Sequence, residues 1–136
     1  SKRDWGHAKD YVKVMWMILQ AKEPDDWVIS TGRSTTIRKF VELSFKHVGI
    51  IIDFKGSGLD EVGFVSSCEN PNYNIEVGKV VLEIDPKYFR PTEVDLLIGD
   101  SSKAKNELGW QPEISLEELI NEMMESDLNH FRKIDQ

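Results

Sequence analysis

Apolar residues recur at helical spacing in two stretches of this chain, each followed by a short β-branched run. That alternation constrains the fold more than any other feature. Trp5, Ala8, Tyr11, Val12, Met15, Ile18 and Leu19 form the first stripe, with Asp4 as the expected N-cap and Pro24 closing the region beyond the helix. Trp27–Thr31 is a compact apolar run ended by Gly32, which predicts a strand. Ile37, Phe40, Val41, Ser44, Phe45 and Val48 make the second stripe. Ser34 or Thr35 is expected to cap that helix and Gly49 to stop it. Ile50–Phe54 is β-branched and apolar, hence a further strand. Helices and strands in this order predict an α/β fold.

Gly56–Gly78 contrasts with these stretches. It holds four of the nine glycines, several Asn and Ser residues and Pro71, so a long exposed loop is expected. Val80, Leu82 and Ile84 then alternate with Val81, Glu83 and Asp85, the pattern of a half-buried strand. Two helices close the chain. Ser101–Leu108 is short and stops at Gly109, and Ser115-Leu116-Glu117-Glu118 is a capping box opening the second. Leu116, Leu119, Ile120, Met123, Met124 and Leu128 are its apolar stripe. Without internal repeats or linkers, residues 1–136 are expected to form a single α/β region.

Charge and composition narrow the function classes. The net charge is −7 over 136 residues, which does not suit general nucleic-acid binding, where Lys and Arg replace phosphate counterions. Only five arginines occur, Arg3, Arg33, Arg38, Arg90 and Arg132, so each can be weighed singly. Cys68 is the single cysteine, excluding an intramolecular disulfide or a Cys-based zinc site and fitting a reducing cytoplasm. The longest apolar stretch, Val14–Leu19, is too short to span a bilayer. His7, His47 and His130 lack metal-ligand spacing, and no metal site is expected.

No self-contained catalytic set is legible. There is no Gly-x-Gly-x-x-Gly fingerprint, phosphate-binding Gly-x-x-x-x-Gly-Lys-[Ser/Thr] loop or Gly-x-Ser-x-Gly elbow. Thr31-Gly32-Arg33-Ser34-Thr35-Thr36 could present amides to an anion. With one glycine and no following lysine, it reads better as a capped βα turn. Asp25-Asp26 and Asp60-Glu61 are adjacent carboxylates whose side chains diverge, hence solvated loop charge. Lys9-Asp10 and Lys46-His47 are assigned to polar helix faces.

Three segments carry more information. Lys2-Arg3-Asp4-Trp5-Gly6-His7-Ala8-Lys9-Asp10-Tyr11 opens the first helix. Asp85-Pro86-Lys87-Tyr88-Phe89-Arg90-Pro91-Thr92-Glu93-Val94 follows the strand at residues 80–84. Gly99-Asp100-Ser101-Ser102-Lys103-Ala104-Lys105 leads to Leu108-Gly109-Trp110-Gln111-Pro112. Arg90 beside Pro91 is a cation on a stiffened turn, able to fork onto phosphate oxygens, and Glu93 could accept hydrogen bonds from sugar hydroxyls. The same two residues could instead form a surface salt bridge, and on the residues alone that is the simpler reading.

In this order the three segments resemble those of extended short-chain dehydrogenase/reductases acting on nucleotide sugars. The runs Arg3–Tyr11 and Tyr88–Val94 resemble the GDP-mannose 4,6-dehydratase family in particular, and the resemblance extends from Lys2 to about Leu128. It implies that this chain is the C-terminal, substrate-binding part of an extended Rossmann-type fold whose N-terminal Rossmann half is absent. Arg3 and Arg90 are then expected on the diphosphate of GDP-mannose and Glu93 on its ribose hydroxyls. Trp5, Gly6 and His7 shape the helix entry, and Gly109, Trp110 and Pro112 form a packed corner. The implied reaction converts GDP-mannose to GDP-4-keto-6-deoxymannose, the entry to GDP-fucose and related deoxyhexoses. In it, NADP oxidises the sugar at C4, water leaves across C5 and C6, and the hydride returns to C6. The cofactor and the catalytic residues would be held by the absent half, so this chain alone is expected to be inactive. The complete enzyme is expected to be cytoplasmic and homo-oligomeric, with no membrane or nucleic-acid partner.

The chain begins without Met, as a piece of a longer protein would, although a processed terminus has the same appearance. Three other readings stay open. One is another epimerase or dehydratase of the same superfamily. Another is a non-catalytic fragment that binds a nucleotide or a partner. The third is a small domain of unrelated function.

Overall fold

A computed structural model describes residues 1–89 and 96–134. The chain divides into two compact units, one of residues 1–37 and 94–136, the other of residues 38–93. Helices and small antiparallel sheets alternate through both, an α/β composition in the broad sense.

The first unit opens with strand β1 (Lys2–Asp4) and helix α1 (Ala8–Leu19). Strand β2 (Ser34–Thr36) pairs antiparallel with β1, Arg3 opposite Thr35 and Asp4 opposite Ser34. Ser34 and Thr35 are therefore strand residues, and helix α2 (Ile37–His47) starts directly after them without the expected cap. The expected strand at Trp27–Thr31 joins no ladder among the described residues. Its alternation survives in the packing, however: Trp27 and Ile29 lie against a core of Val14, Ala104 and Trp110, while Val28 is exposed.

Helix α1 is apolar on two faces, so periodicity alone could not choose between them. Val14, Met17 and Ile18 face the core. Val12, Met15 and Leu19 of the expected stripe are exposed, together with Trp16. Its N-cap is His7, whose Nδ1 accepts the Lys9 amide at 3.0 Å; Asp4 is occupied elsewhere.

Residues Ala104–Leu108 wind as a π-helical turn ended by Gly109 at φ 70°, a left-handed conformation that favours glycine. Helix α3 (Leu116–Ile134) then runs to the end of the described residues. Its capping box forms as the sequence predicts: the Ser115 amide donates to Glu118 Oε2 at 2.8 Å and the Glu118 amide to Ser115 Oγ at 3.2 Å. The bonds from the Ser115 amide and hydroxyl hold the Glu118 carboxyl below its ordinary range. Ile120 is fully buried, and Leu116, Leu119, Met124 and Leu128 are partly so, whereas Met123 is exposed.

The second unit is α2 against a three-stranded antiparallel sheet of β3 (Ile50–Lys55), β4 (Val62–Cys68) and β5 (Val80–Glu83), in that order. Val41, Phe45 and Val48 pack on the buried Ile50, Ile52 and Val65. Gly49, at φ 78°, ends α2 as expected. The central strand β4 overturns the reading of Gly56–Gly78 as one long loop. Gly63 hid it. An added Cβ there would stand 3.1 Å from the Leu82 side chain and 3.3 Å from the Phe54 ring, so the strand accepts a weak β-former because its neighbours come close.

Candidate functional site

Of the residues expected to bind substrate, the structure describes Arg3; Arg90 and Glu93 lie outside the described residues. Arg3 is half-buried on β1, opposite Thr35. Its guanidinium donates to the Lys2 carbonyl at 2.8 Å.

The strand carrying Arg3 is held by its neighbour. Asp4 Oδ1 accepts the Thr31 hydroxyl at 2.6 Å and the Thr31 amide at 3.2 Å, and Oδ2 accepts the Gly32 amide at 3.0 Å. Thr31 Oγ1 in turn accepts the Arg33 amide at 3.2 Å. These bonds decide what the Thr31–Thr36 stretch can do. Three consecutive amides that might have cradled an anion already donate to Asp4 or Thr31, so this is a closed turn and not a phosphate loop.

Behind β1 the entry to α1 is equally fixed. Because His7 Nδ1 accepts the Lys9 amide, the neutral ring carries its proton on Nε2, which donates to Glu122 Oε2 at 3.2 Å. Lys9 also bonds Glu122, at 3.0 Å to the same oxygen. The Lys9 ammonium first and His7 second hold the Glu122 carboxyl below its ordinary range. Gly6 lies against the Tyr11 ring so closely that any Cβ would collide with it. Burial pushes the Tyr11 hydroxyl's pKa above its usual value, with Asp4 and Asp10 adding to the shift. Trp5-Gly6-His7 thus shapes the helix entry, as expected from the sequence.

Asp10 corrects its assignment to a polar helix face. Only 4% exposed, its Oδ2 accepts the amides of Glu113 at 3.2 Å and Ile114 at 3.1 Å. Its carbonyl accepts Trp110 Nε1 at 3.0 Å. Asp10 therefore organises the Trp110–Ser115 corner from a hundred residues away, and no local pattern could have signalled that. Lys9, by contrast, is exposed as expected.

A cleft of about 650 Å3 opens within this unit, walled by Trp5, the Thr31–Arg33 turn, Ser101, Lys105 and the 110–117 corner. Its volume is in the range of small-ligand sites. It offers guanidinium, ammonium, carboxylate and hydroxyl groups beside two indoles, which suits recognition of a polar ligand. Among the described residues, no group of three His, Cys, Asp or Glu is placed to hold a metal ion. No described helix is long and apolar enough to cross a membrane. Cys68 is a free thiol, half-buried beside the Asn70 and Tyr73 carbonyls.

Comparison with known proteins gives one consistent result. The family model described as GDP-mannose 4,6 dehydratase matches residues 1–123. A GDP-mannose 4,6-dehydratase of Yersinia enterocolitica is 48% identical over 98% of this chain and 36% of its own length. A GDP-mannose 4,6 dehydratase of Drosophila melanogaster is 53% identical over 98% of this chain and 31% of its length. One of Homo sapiens is 48% identical over 97% and 33%. The chain therefore spans about a third of the length of the curated relatives it matches.

Proposed function

The chain belongs to the GDP-mannose 4,6-dehydratase family, and we propose that it forms the C-terminal, nucleotide-sugar-binding part of such an enzyme, within an extended short-chain dehydrogenase/reductase fold. The observation carrying this reading is the family match over residues 1–123, which takes in all three segments singled out in the sequence. The activity of the complete enzyme is then dehydration of GDP-mannose to GDP-4-keto-6-deoxymannose, on the route to GDP-fucose. Residues 1–136 act as one nucleotide-sugar-binding region.

Within it, Arg3 and Arg90 bind the pyrophosphate of the substrate and Glu93 the ribose hydroxyls. A guanidinium matches phosphate oxygens in both charge and geometry. Binding energy gained on the GDP, remote from the reacting carbons, is available to hold the hexose in a reactive pose. NADP is the expected cofactor of the family, and the described residues do not fit it. The Thr31–Arg33 turn, the stretch that could have presented amides to an anion, has those amides already engaged. Cofactor binding and the hydride and proton transfers thus fall to the two-thirds of a family member that this chain does not match. The same reading makes the complete enzyme a cytoplasmic homo-oligomer, in keeping with the free Cys68 thiol.

Turnover by the full-length gene product tests this. GDP-mannose is expected to be consumed at least a hundredfold more efficiently than UDP-glucose or dTDP-glucose, because an enzyme that hydrogen-bonds one base and one hexose leaves buried polar groups unpaired with another. Equal efficiency with a UDP- or dTDP-sugar would move the chain to another branch of nucleotide-sugar enzymes.

A further inference from the structure

We infer that Asp4 is the positioning residue for Arg3. Its carboxylate clasp on the Thr31–Gly32 turn sets the orientation in which the guanidinium meets the substrate's pyrophosphate. The inference rests on the substrate role proposed above for Arg3.

Strand β1 is only three residues long, and its ladder with β2 pairs Lys2, Arg3 and Asp4 with Thr36, Thr35 and Ser34. A ladder so short fixes its own register weakly. Its near end is held by the Ile37 amide on the Ser1 carbonyl, at 3.2 Å, and by a bridge from Lys2 to Leu96; Asp4 holds the far end. There one carboxylate takes three hydrogen bonds, from the Thr31 hydroxyl at 2.6 Å, the Thr31 amide at 3.2 Å and the Gly32 amide at 3.0 Å. Thr31 Oγ1 carries the hold onward to the Arg33 amide, immediately before β2. The clasp therefore closes the same loop that the ladder opens, and the two strands cannot slide without breaking it. Successive strand residues point to opposite faces. With Asp4 spent on the turn, Arg3 is directed to the other face of the strand.

Replacing Asp4 with Asn keeps the shape but brings an amide N–H against a backbone N–H. The clasp loses at least one bond while the Arg3 side chain itself is unaltered. Thr31→Val breaks the same clasp from the other side, leaving both Asp4 and Arg3 untouched.

The test is a double-mutant cycle in the full-length gene product, reading KM for GDP-mannose, kcat and the unfolding temperature. Asp4→Asn and Thr31→Val are each expected to raise KM about tenfold with kcat within about twofold. The Asp4→Asn effect on KM is expected to vanish when Arg3→Ala is already present, because a residue that acts only through Arg3 has nothing left to position. Equal KM losses from Asp4→Asn in the presence and absence of Arg3 would overturn the inference, since a purely structural carboxylate would behave that way. If Arg3→Ala alone leaves KM unchanged, the substrate role of Arg3 fails first, an outcome separate from a failure of Asp4.

Discussion

Trp110→Ala is expected to destabilise the chain by about 3–5 kcal/mol, the usual cost of deleting a buried tryptophan, read as a shift in urea unfolding followed by circular dichroism. Trp110 is 2% exposed and lies with Val14 and Ala104 at the centre of the first unit's core. Gly109 before it turns the chain through a left-handed conformation. The loss has two parts. Removing the indole leaves a void bounded by α1 and the Ala104–Leu108 turn, and it strips the Asp10 carbonyl of the donor 3.0 Å away. Trp110→Phe separates them, since it fills most of the volume and loses only the hydrogen bond, at about 1 kcal/mol. Measured against a total stability of about 5–15 kcal/mol for a domain of this kind, the alanine variant is expected to be largely unfolded at moderate urea. A cost below about 1 kcal/mol would show that the corner does not support the core.

Asp10→Ala is the second large effect, at about 2–4 kcal/mol. It leaves the part-buried Glu113 and Ile114 amides without their carboxylate acceptor, and each deserted donor costs up to about 1–3 kcal/mol, less where water reaches it. Asp10→Asn keeps one acceptor oxygen and is expected to recover about half of that. Hydrogen exchange localises the effect: the amides of residues 113 and 114 should exchange faster in the alanine variant, while those of the β3–β4 ladder in the second unit should not change. Uniform acceleration throughout the chain would contradict the local role.

What could be read in the sequence was the local part. The capping box at Ser115 and Glu118, the stop at Gly49 and the strands at Ile50 and Val80 are all encoded within a few residues of where they act. What escaped is encoded across distance. Strand β4 contains a glycine that only the proximity of Leu82 and Phe54 explains. The β1–β2 ribbon joins segments about thirty residues apart through three pairs, too few to leave a pattern. Asp4 and Asp10 both read as ordinary helix-entry and helix-surface carboxylates until their partners at residues 31–32 and 113–114 are seen. In α1 the signal was present twice, because Val12–Met15–Leu19 and Val14–Met17–Ile18 are both helical stripes and only packing distinguishes them.

The residues proposed to bind substrate form a third category. Nothing in their spacing separates an Arg-Pro-x-Glu turn that binds a nucleotide from one that closes a surface salt bridge. Resemblance selected Arg3, Arg90 and Glu93, and the family match covers the positions of all three. The structure adds the way Arg3 is held: on a strand whose next residue is locked by three hydrogen bonds.

Calorimetric titration of GDP-mannose into the full-length gene product, with Arg3→Ala and Arg90→Ala beside the parent, tests most directly whether two guanidinium groups of this chain grip one pyrophosphate. Each single variant is expected to weaken binding by about ten- to a hundredfold, about 1.4–2.7 kcal/mol. The double variant should lose less than the product of the two, because both groups act on the same anion. Undiminished GDP-mannose affinity in either single variant would contradict the shared grip.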